Sequence, residues 1–295
     1  LTRRDRGRVV RGAVLWLLLG ATAAEGLEGG QTDTEARFAA VVVLVGGPVD
    51  QCSATKIAAR QFLTAGHCVV DTSSGELRPA FRANGTIKIS GSVAPETEAD
   101  FSKATVTNTL LAPAFKDGLE RFISFKRKRI AAFTEQFAGT ELLRRITEME
   151  AKHHFTLRFP DAAVVEIDRD TAGIPVATID AASLQAGDAV TLVGYGCAQL
   201  AHRREEHRSL PFGRRRWGHS QVIRVDAVNF YSYAAQLRTG TPSLCPGDSG
   251  GPVFHDGKVA GVHSTVFGIS TAGGAHSNMS VNLYSLRDWE ALQAR

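Results

Sequence analysis

The 295-residue chain predicts an all-β fold of barrel type. Three observations carry that reading. Short β-branched or alternating apolar runs recur between turn signals. Twenty-nine glycines favour a turn-rich chain. Helical periodicity is confined to one internal stretch and the C-terminus. A hydrophobic content of 43% is enough for one large core or two small ones.

The N-terminus stands apart from the fold. Arg3, Arg4, Arg6, Arg8 and Arg11 give a basic start, followed by the apolar run at residues 13–19 and the small residues Ala21-Thr22-Ala23-Ala24. That order is expected of a secretory signal peptide over residues 1–24. The segment also explains the charge. The chain has 34 basic and 30 acidic residues, and removing the five arginines and one aspartate of the first 24 leaves 29 of each. The surplus is therefore no sign of nucleic-acid binding.

Residues 38–45 form a continuous apolar run, read as a buried strand and ended by Gly46-Gly47-Pro48. Residues 52–64 read as a strand pair. Asn84-Gly85 is a turn signal ahead of an alternating strand at 86–90, and residues 104–111 make another. The pattern then breaks. Leu119, Phe122, Ile123, Ile130, Phe133 and Phe137 recur at helical spacing, Gly139-Thr140 interrupts, and Leu142, Leu143 and Ile146 resume. Two amphipathic helices are expected as an insertion over residues 116–155. The run Lys126-Arg127-Lys128-Arg129 reads as a solvated face, with an exosite as the alternative. Strands are expected from Ala162 to Ile167, at 189–197 and at 259–264. Residues 202–216 are an arginine-rich loop, and residues 281–293 close the chain with a short helix carrying Trp289. Asn84-Gly85-Thr86 and Asn278-Met279-Ser280 are glycosylation sequons.

One stretch serves no ordinary folding need. Cys245-Pro246-Gly247-Asp248-Ser249-Gly250-Gly251-Pro252 has three glycines and two prolines in eight residues, which forces a tight turn. Such a turn can present Ser249 as a nucleophile, with the N–H groups of Gly247 and Ser249 aimed at a developing oxyanion. A serine hydroxyl needs a base, and Leu63-Thr64-Ala65-Gly66-His67-Cys68 supplies His67.

These two motifs together resemble the trypsin/chymotrypsin-type serine proteases, in a bacterial-type secreted form, and the likeness extends loosely from Leu27 to the C-terminus. The resemblance implies two packed six-stranded antiparallel barrels over residues 25–295 and a His-Asp-Ser order of catalytic residues. Phe159-Pro160-Asp161, opening an apolar strand, is similar to the family's aspartate motif and makes Asp161 the third member, with Asp168 and Asp170 as alternatives. Leu27-Glu28-Gly29-Gly30 is similar to the family's mature N-terminus, where a freed amine pairs with the aspartate before the nucleophile, here Asp248. Glu28 departs from that pattern. Cleavage would then fall between Gly26 and Leu27.

Four cysteines in an exported chain suggest two disulfides. Cys52 and Cys68 flank the segment leading to His67, which leaves Cys197 and Cys245 to pair or to stand as thiols. Family placement puts Ser243 at the floor of the specificity pocket, with His263 and Ser264 on the strand lining it. Trypsin-like enzymes carry aspartate at the floor, so a Lys or Arg preference is not expected. Gly261-Val262-His263 is similar to bacterial glutamyl endopeptidases and exfoliative toxins, although Leu244 departs from them. Acidic and apolar or aromatic P1 residues both stay open, as does a His263 with no substrate role. No metal or cofactor is expected; His202, His207 and His219 lack zinc spacing. The expected partners are polypeptide substrates, with no nucleic acid and no stable membrane association, for a secreted monomer. A catalytically silent binding module on the same scaffold is the alternative function.

Overall fold

The computed structural model describes residues 27–47, 51–152, 155–196, 213–268 and 276–293. The expected targeting segment, Cys197 and most of the 202–216 loop lie outside them. Among the described residues no helix is long and apolar enough to cross a membrane.

The chain docks a short strand β1 (Gln31–Thr32) and then builds β2 (Val41–Val45), β3 (Gln51–Ala58), β4 (Gln61–Thr64), the single turn α1 (Gly66–Val69), β5 (Thr86–Ser90) and β6 (Ser102–Leu111). Helices α2 (Pro113–Gln136) and α3 (Gly139–Lys152) precede β7 (Ala163–Ile167). Strands β2 to β7 close a barrel in the order β2-β3-β4-β7-β6-β5. The second half contributes β8 (Ala189–Gly194), β9 (Arg216–Val225), β10 (Asn229–Ser232), β11 (Pro252–His255), β12 (Lys258–Gly268), β13 (His276–Asn282) and α4 (Glu290–Gln293). Because β8 pairs with both β9 and β11, these six strands also close on themselves, with β1 added at β9. The fold is thus two six-stranded antiparallel barrels with a helical insertion, as expected.

Local chemistry explains most elements. Val41 to Leu44 are buried on both faces, which is why β2 reads as an unbroken apolar run. Asn84 takes a left-handed φ of 68°, as its Asn-Gly turn requires. Pro113 opens α2, where a missing N–H costs nothing. That helix buries Phe115, Leu119 and Ile123 against the first barrel. In α3, Glu141 pairs with Arg144 and Arg145, and Arg144 with Glu148. Arg127, Lys128 and Arg129 of the basic run are exposed, Arg129 lying 5.2 Å from the Phe133 ring centroid.

Two expectations need correction. The short closing helix is present but does not carry Trp289. Val281 and Asn282 finish β13, a 3-10 turn follows at Leu283–Leu286, and α4 begins only after Trp289. The apolar alternation of Met279 and Val281, both fully buried, keeps the chain extended there. Strands β9, β10 and β13 were also not anticipated. They bury Ser220, Asn229, Ser232, Asn278 and Ser280, and the Asn229 and Asn278 amides reach the carbonyls of Thr156, Tyr233 and Pro242 far along the chain.

A buried ion pair joins the two barrels. Arg215 Nε donates to Asp33 Oδ2 at 2.8 Å, and its Nη1 reaches the carbonyls of Val41 and Gly91 and the Tyr195 hydroxyl. Asp33 also accepts the N–H groups of Arg37 and Phe38. Both charges are almost wholly removed from solvent. Asp33→Ala would strand the guanidinium, and urea denaturation is expected to show a loss of about 3–5 kcal/mol. A loss below about 1 kcal/mol would show that the pair is not a structural anchor.

Candidate active site

The register between β4 and β7 creates the first half of the site. Thr64 pairs with Ala163, so the chain just beyond each strand end lies side by side. His67, on α1, is thereby set against Asp161. The His67 N–H donates to Asp161 Oδ1 at 2.8 Å, and His67 Nδ1 lies 2.6 Å from Asp161 Oδ2. Because an ionised carboxylate only accepts, the ring proton sits on Nδ1 and Nε2 faces outward as an acceptor. Ser264, on β12 of the other barrel, donates its hydroxyl to Asp161 Oδ2 at 2.7 Å. Asp161 is fully buried, while the His67 side chain is 26% exposed.

Burial opposes charge on both groups. Their mutual attraction and hydrogen bonds outweigh it, with Ser264 assisting. The His67 pKa is raised above 6.5 and that of Asp161 is held below its ordinary value. The alternative aspartates are engaged elsewhere: Asp168 accepts the Thr105 N–H and pairs with Arg169, and Asp170 meets the buried Lys56 ammonium.

The second half is the turn at 245–251. Gly247 has φ of 101°, a conformation open to glycine, and a Cβ there would also press on Gly196 at 3.0 Å. Its N–H and that of Ser249 donate to no acceptor among the described residues, whereas Asp248, Gly250 and Gly251 use theirs within the fold. Ser53 was missed by sequence reading. It holds the turn by donating its hydroxyl to Gly247 O at 2.9 Å and its N–H to Ser249 O at 2.8 Å. A buried serine beside Cys52 was the only local signal.

Ser249 Oγ lies 3.4 Å from Ser264 O and makes no hydrogen bond to His67. The expected imidazole–hydroxyl bond is therefore not closed, although both side chains line one cavity. Such bonds are often loose without substrate and tighten in the complex.

Beneath the turn lies Asp248. Burial pushes its pKa up to about 7, partly offset by the N–H groups of Cys245, Gly196 and Leu27. Leu27 is fully buried, and the next residue, Glu28, accepts the Ser243 N–H at 2.9 Å. Residues 27–32 thus dock on the second barrel, with the Leu27 nitrogen facing the carboxylate. Gly194 and Gly196 lack side chains for the same reason, since a Cβ on either would run into Asp248.

The cavity holds about 390 Å³. Leu244, Cys245 and Pro246 line it together with Ser264, Thr265 and Val266 of β12, and with Thr72, His67 and Ser249. Of the three expected pocket residues, only Ser264 lines it. Ser243 is buried and accepts the Ala235 N–H at 3.0 Å. His263 is buried as well, sharing a hydrogen bond with Ser280 Oγ at 3.2 Å, and burial pushes its pKa down to about 3. Asn278, noted only as part of a sequon, instead ties the pocket wall together. It accepts the Leu244 N–H and donates to the carbonyls of Tyr233 and Pro242.

Cys52 and Cys68 form a disulfide, and a loop of that size contributes about 3 kcal/mol in the chain-entropy model. Cys245 is disulfide-bonded too; Cys197, its expected partner, lies outside the described residues. The close group Cys52, His67 and Cys68 offers no thiolate to a metal, because its two sulfurs are joined.

A family model described as Trypsin matches residues 132–289, a span containing Asp161 and Ser249 but not His67. Among solved structures, a mutant of human heparin binding protein (CAP37) is similar in fold, with a TM-score of 0.56 at 15% identity over 89% of this chain and 94% of that one. No curated protein matches the chain.

The Asp248 site has a thermodynamic signature. Its carboxyl stays protonated to about pH 7 in the folded chain but ionises near 3.8 when unfolded. The contribution of this carboxyl to the stability of the chain uncut before Leu27 is then fully present below about pH 4 and is lost as pH rises toward 7, by up to about 4 kcal/mol. Asp248→Asn should flatten that slope in urea denaturation series; an equal slope in both forms would contradict it.

Proposed function

The chain belongs to the trypsin family, and on that premise we propose that it is a serine endopeptidase acting through His67, Asp161 and Ser249. The observation that carries the reading is the buried Asp161 carboxylate gripping the His67 ring beside Ser249, whose turn offers two unengaged N–H groups.

In this mechanism Ser249 Oγ attacks the carbonyl carbon of a bound peptide while its proton passes to His67 Nε2. The N–H groups of Gly247 and Ser249 receive the oxyanion, one such donor contributing roughly 2.7–4 kcal/mol. Asp161 stabilises the imidazolium without taking its proton. His67 then protonates the leaving amine, the acyl-enzyme forms, and water attacks in its place with the proton path reversed.

A chain freed at Leu27 would place its α-ammonium against Asp248 and ionise that carboxyl. The domain from residue 25 onward is proposed to follow a removed targeting segment and to act outside the cytoplasm as a monomer. The walls of the cavity carry no charge, and Leu244 and Val266 supply apolar surface. A neutral His263 away from the cavity removes the cation that an acidic P1 residue needs. The proposed preference is therefore apolar.

With chain cut before Leu27, a fluorophosphonate probe is expected to label Ser249, and Ser249→Ala to abolish both labelling and peptide hydrolysis. Because the base must be neutral, kcat/KM should climb with pH through a midpoint above 6.5. Asp161→Asn is expected to lower kcat by roughly 10⁴-fold. An unlabelled Ser249 in folded, cut chain would leave the binding-module reading in its place. In a peptide library, cuts chiefly after Lys, Arg or Glu would overturn the apolar preference.

A further inference from the structure

The helical insertion is the largest feature that the mechanism above does not use. It separates His67 from Asp161 in sequence, yet it touches the chain beside both. Phe115 is fully buried, and its ring lies on Gly66, the residue before His67: a Cβ at Gly66 would come within 2.6 Å of Phe115 Cε1. One turn along the same face, Gly118 has no side chain because Phe159 fills the space. A Cβ there would lie 2.1 Å from Phe159 Cγ, two residues before Asp161. Ala112 N–H, just ahead of α2, donates to Ala162 O at 3.0 Å. A turn further on, Ile123 Cδ1 sits 3.2 Å from where a Gly75 Cβ would be, in the loop whose Thr72 lines the cavity.

The barrel needs this support. Backbone pairing between β4 and β7 stops at Thr64 and Ala163, so residues 65–67 and 159–161 project beyond the last rung of the ladder. Beyond that rung their spacing rests on the Asp161 hydrogen bonds, the Cys52–Cys68 disulfide and the apolar face of α2, against which α3 packs.

We infer that α2 is a positioning element of the active centre, with Phe115 seating His67 through Gly66 and Phe159 seating Asp161 through Gly118. The inference rests on the endopeptidase reading above for its kinetic consequence, and on the packing alone for its structural one.

The test uses the full domain cut before Leu27. Phe115→Ala and Gly118→Ala are expected to lower kcat per fluorophosphonate-titrated site by roughly 10–100-fold, with KM nearly unchanged. The His67 titration midpoint, followed by NMR, should move down as the Asp161 contact lengthens. Adding Phe159→Leu to Gly118→Ala makes room for the new methyl and should recover most of the rate. Ile87→Ala, a truncation of similar burial on β5, should cost stability but leave the per-site kcat and the midpoint alone. Unchanged per-site kcat and midpoint in Phe115→Ala and Gly118→Ala would overturn the inference. Should Phe115→Ala fail to fold, Gly118→Ala and its rescue decide. If the unmodified protein is inert to the probe, the endopeptidase reading fails by itself. The His67 midpoint across the variants then still decides the positioning role.

Discussion

Everything at the candidate site depends on one carboxylate kept out of water. Asp161 has no exposed surface and accepts hydrogen bonds from the His67 N–H, the His67 ring and the Ser264 hydroxyl. An isolated carboxylate buried this deeply would take up a proton; attraction to the His67 ring, together with these three donors, keeps it ionised. Two of those donors belong to the first barrel and the third to β12 of the second. The same contact that orients the imidazole therefore also registers the barrels against each other. The Asp33–Arg215 pair performs a similar service on the other side of the joint, without chemistry of its own.

The turn around Ser249 is held from several directions at once. Ser53 reaches it from the first barrel, Gly196 and Cys245 donate to the Asp248 carboxyl beneath it, and the docked segment at Leu27 closes the space. The pocket wall shares that scaffold, because Ser243 donates its N–H to Glu28 and Leu244 donates its own to Asn278. The turn at Ser249, the wall of the cavity and the N-terminal segment form one continuous hydrogen-bonded unit. A change at residues 27–30 is thus felt by Ser249 and by the pocket together.

Much of this was legible in the sequence because it is local. The octapeptide around Ser249 and the motif around His67 announce themselves by residue type and spacing, and Val41 to Leu44 by an unbroken apolar run. The alternation at Thr86–Ser90 sets both ends of β5. What was not legible is held by long-range polar pairing. Strand β13 carries buried Ser277, Asn278 and Ser280 that resemble a surface loop until Tyr233, Pro242 and Leu244 are brought against them. His263 looked like a pocket residue because its neighbours fit a motif; its side chain turns instead into the second barrel, toward Ser280. The role of Ser53 lies wholly in contacts with residues more than 140 positions away.

The burial of Asn278 has a bearing on how the chain is made. Its amide nitrogen, the atom to which an oligosaccharide would be joined, is spent on two carbonyls inside the second barrel. Asn84, in the other sequon, stands exposed on its turn. In a cell that glycosylates nascent chains, the first sequon can carry a sugar on the finished molecule. The second can receive one only before β13 is laid in place, and a chain so decorated has lost the means of closing that barrel. Production in such a host becomes a race between transferase and folding, which replacing Ser280 by alanine would settle in favour of folding at the cost of the hydroxyl that meets His263.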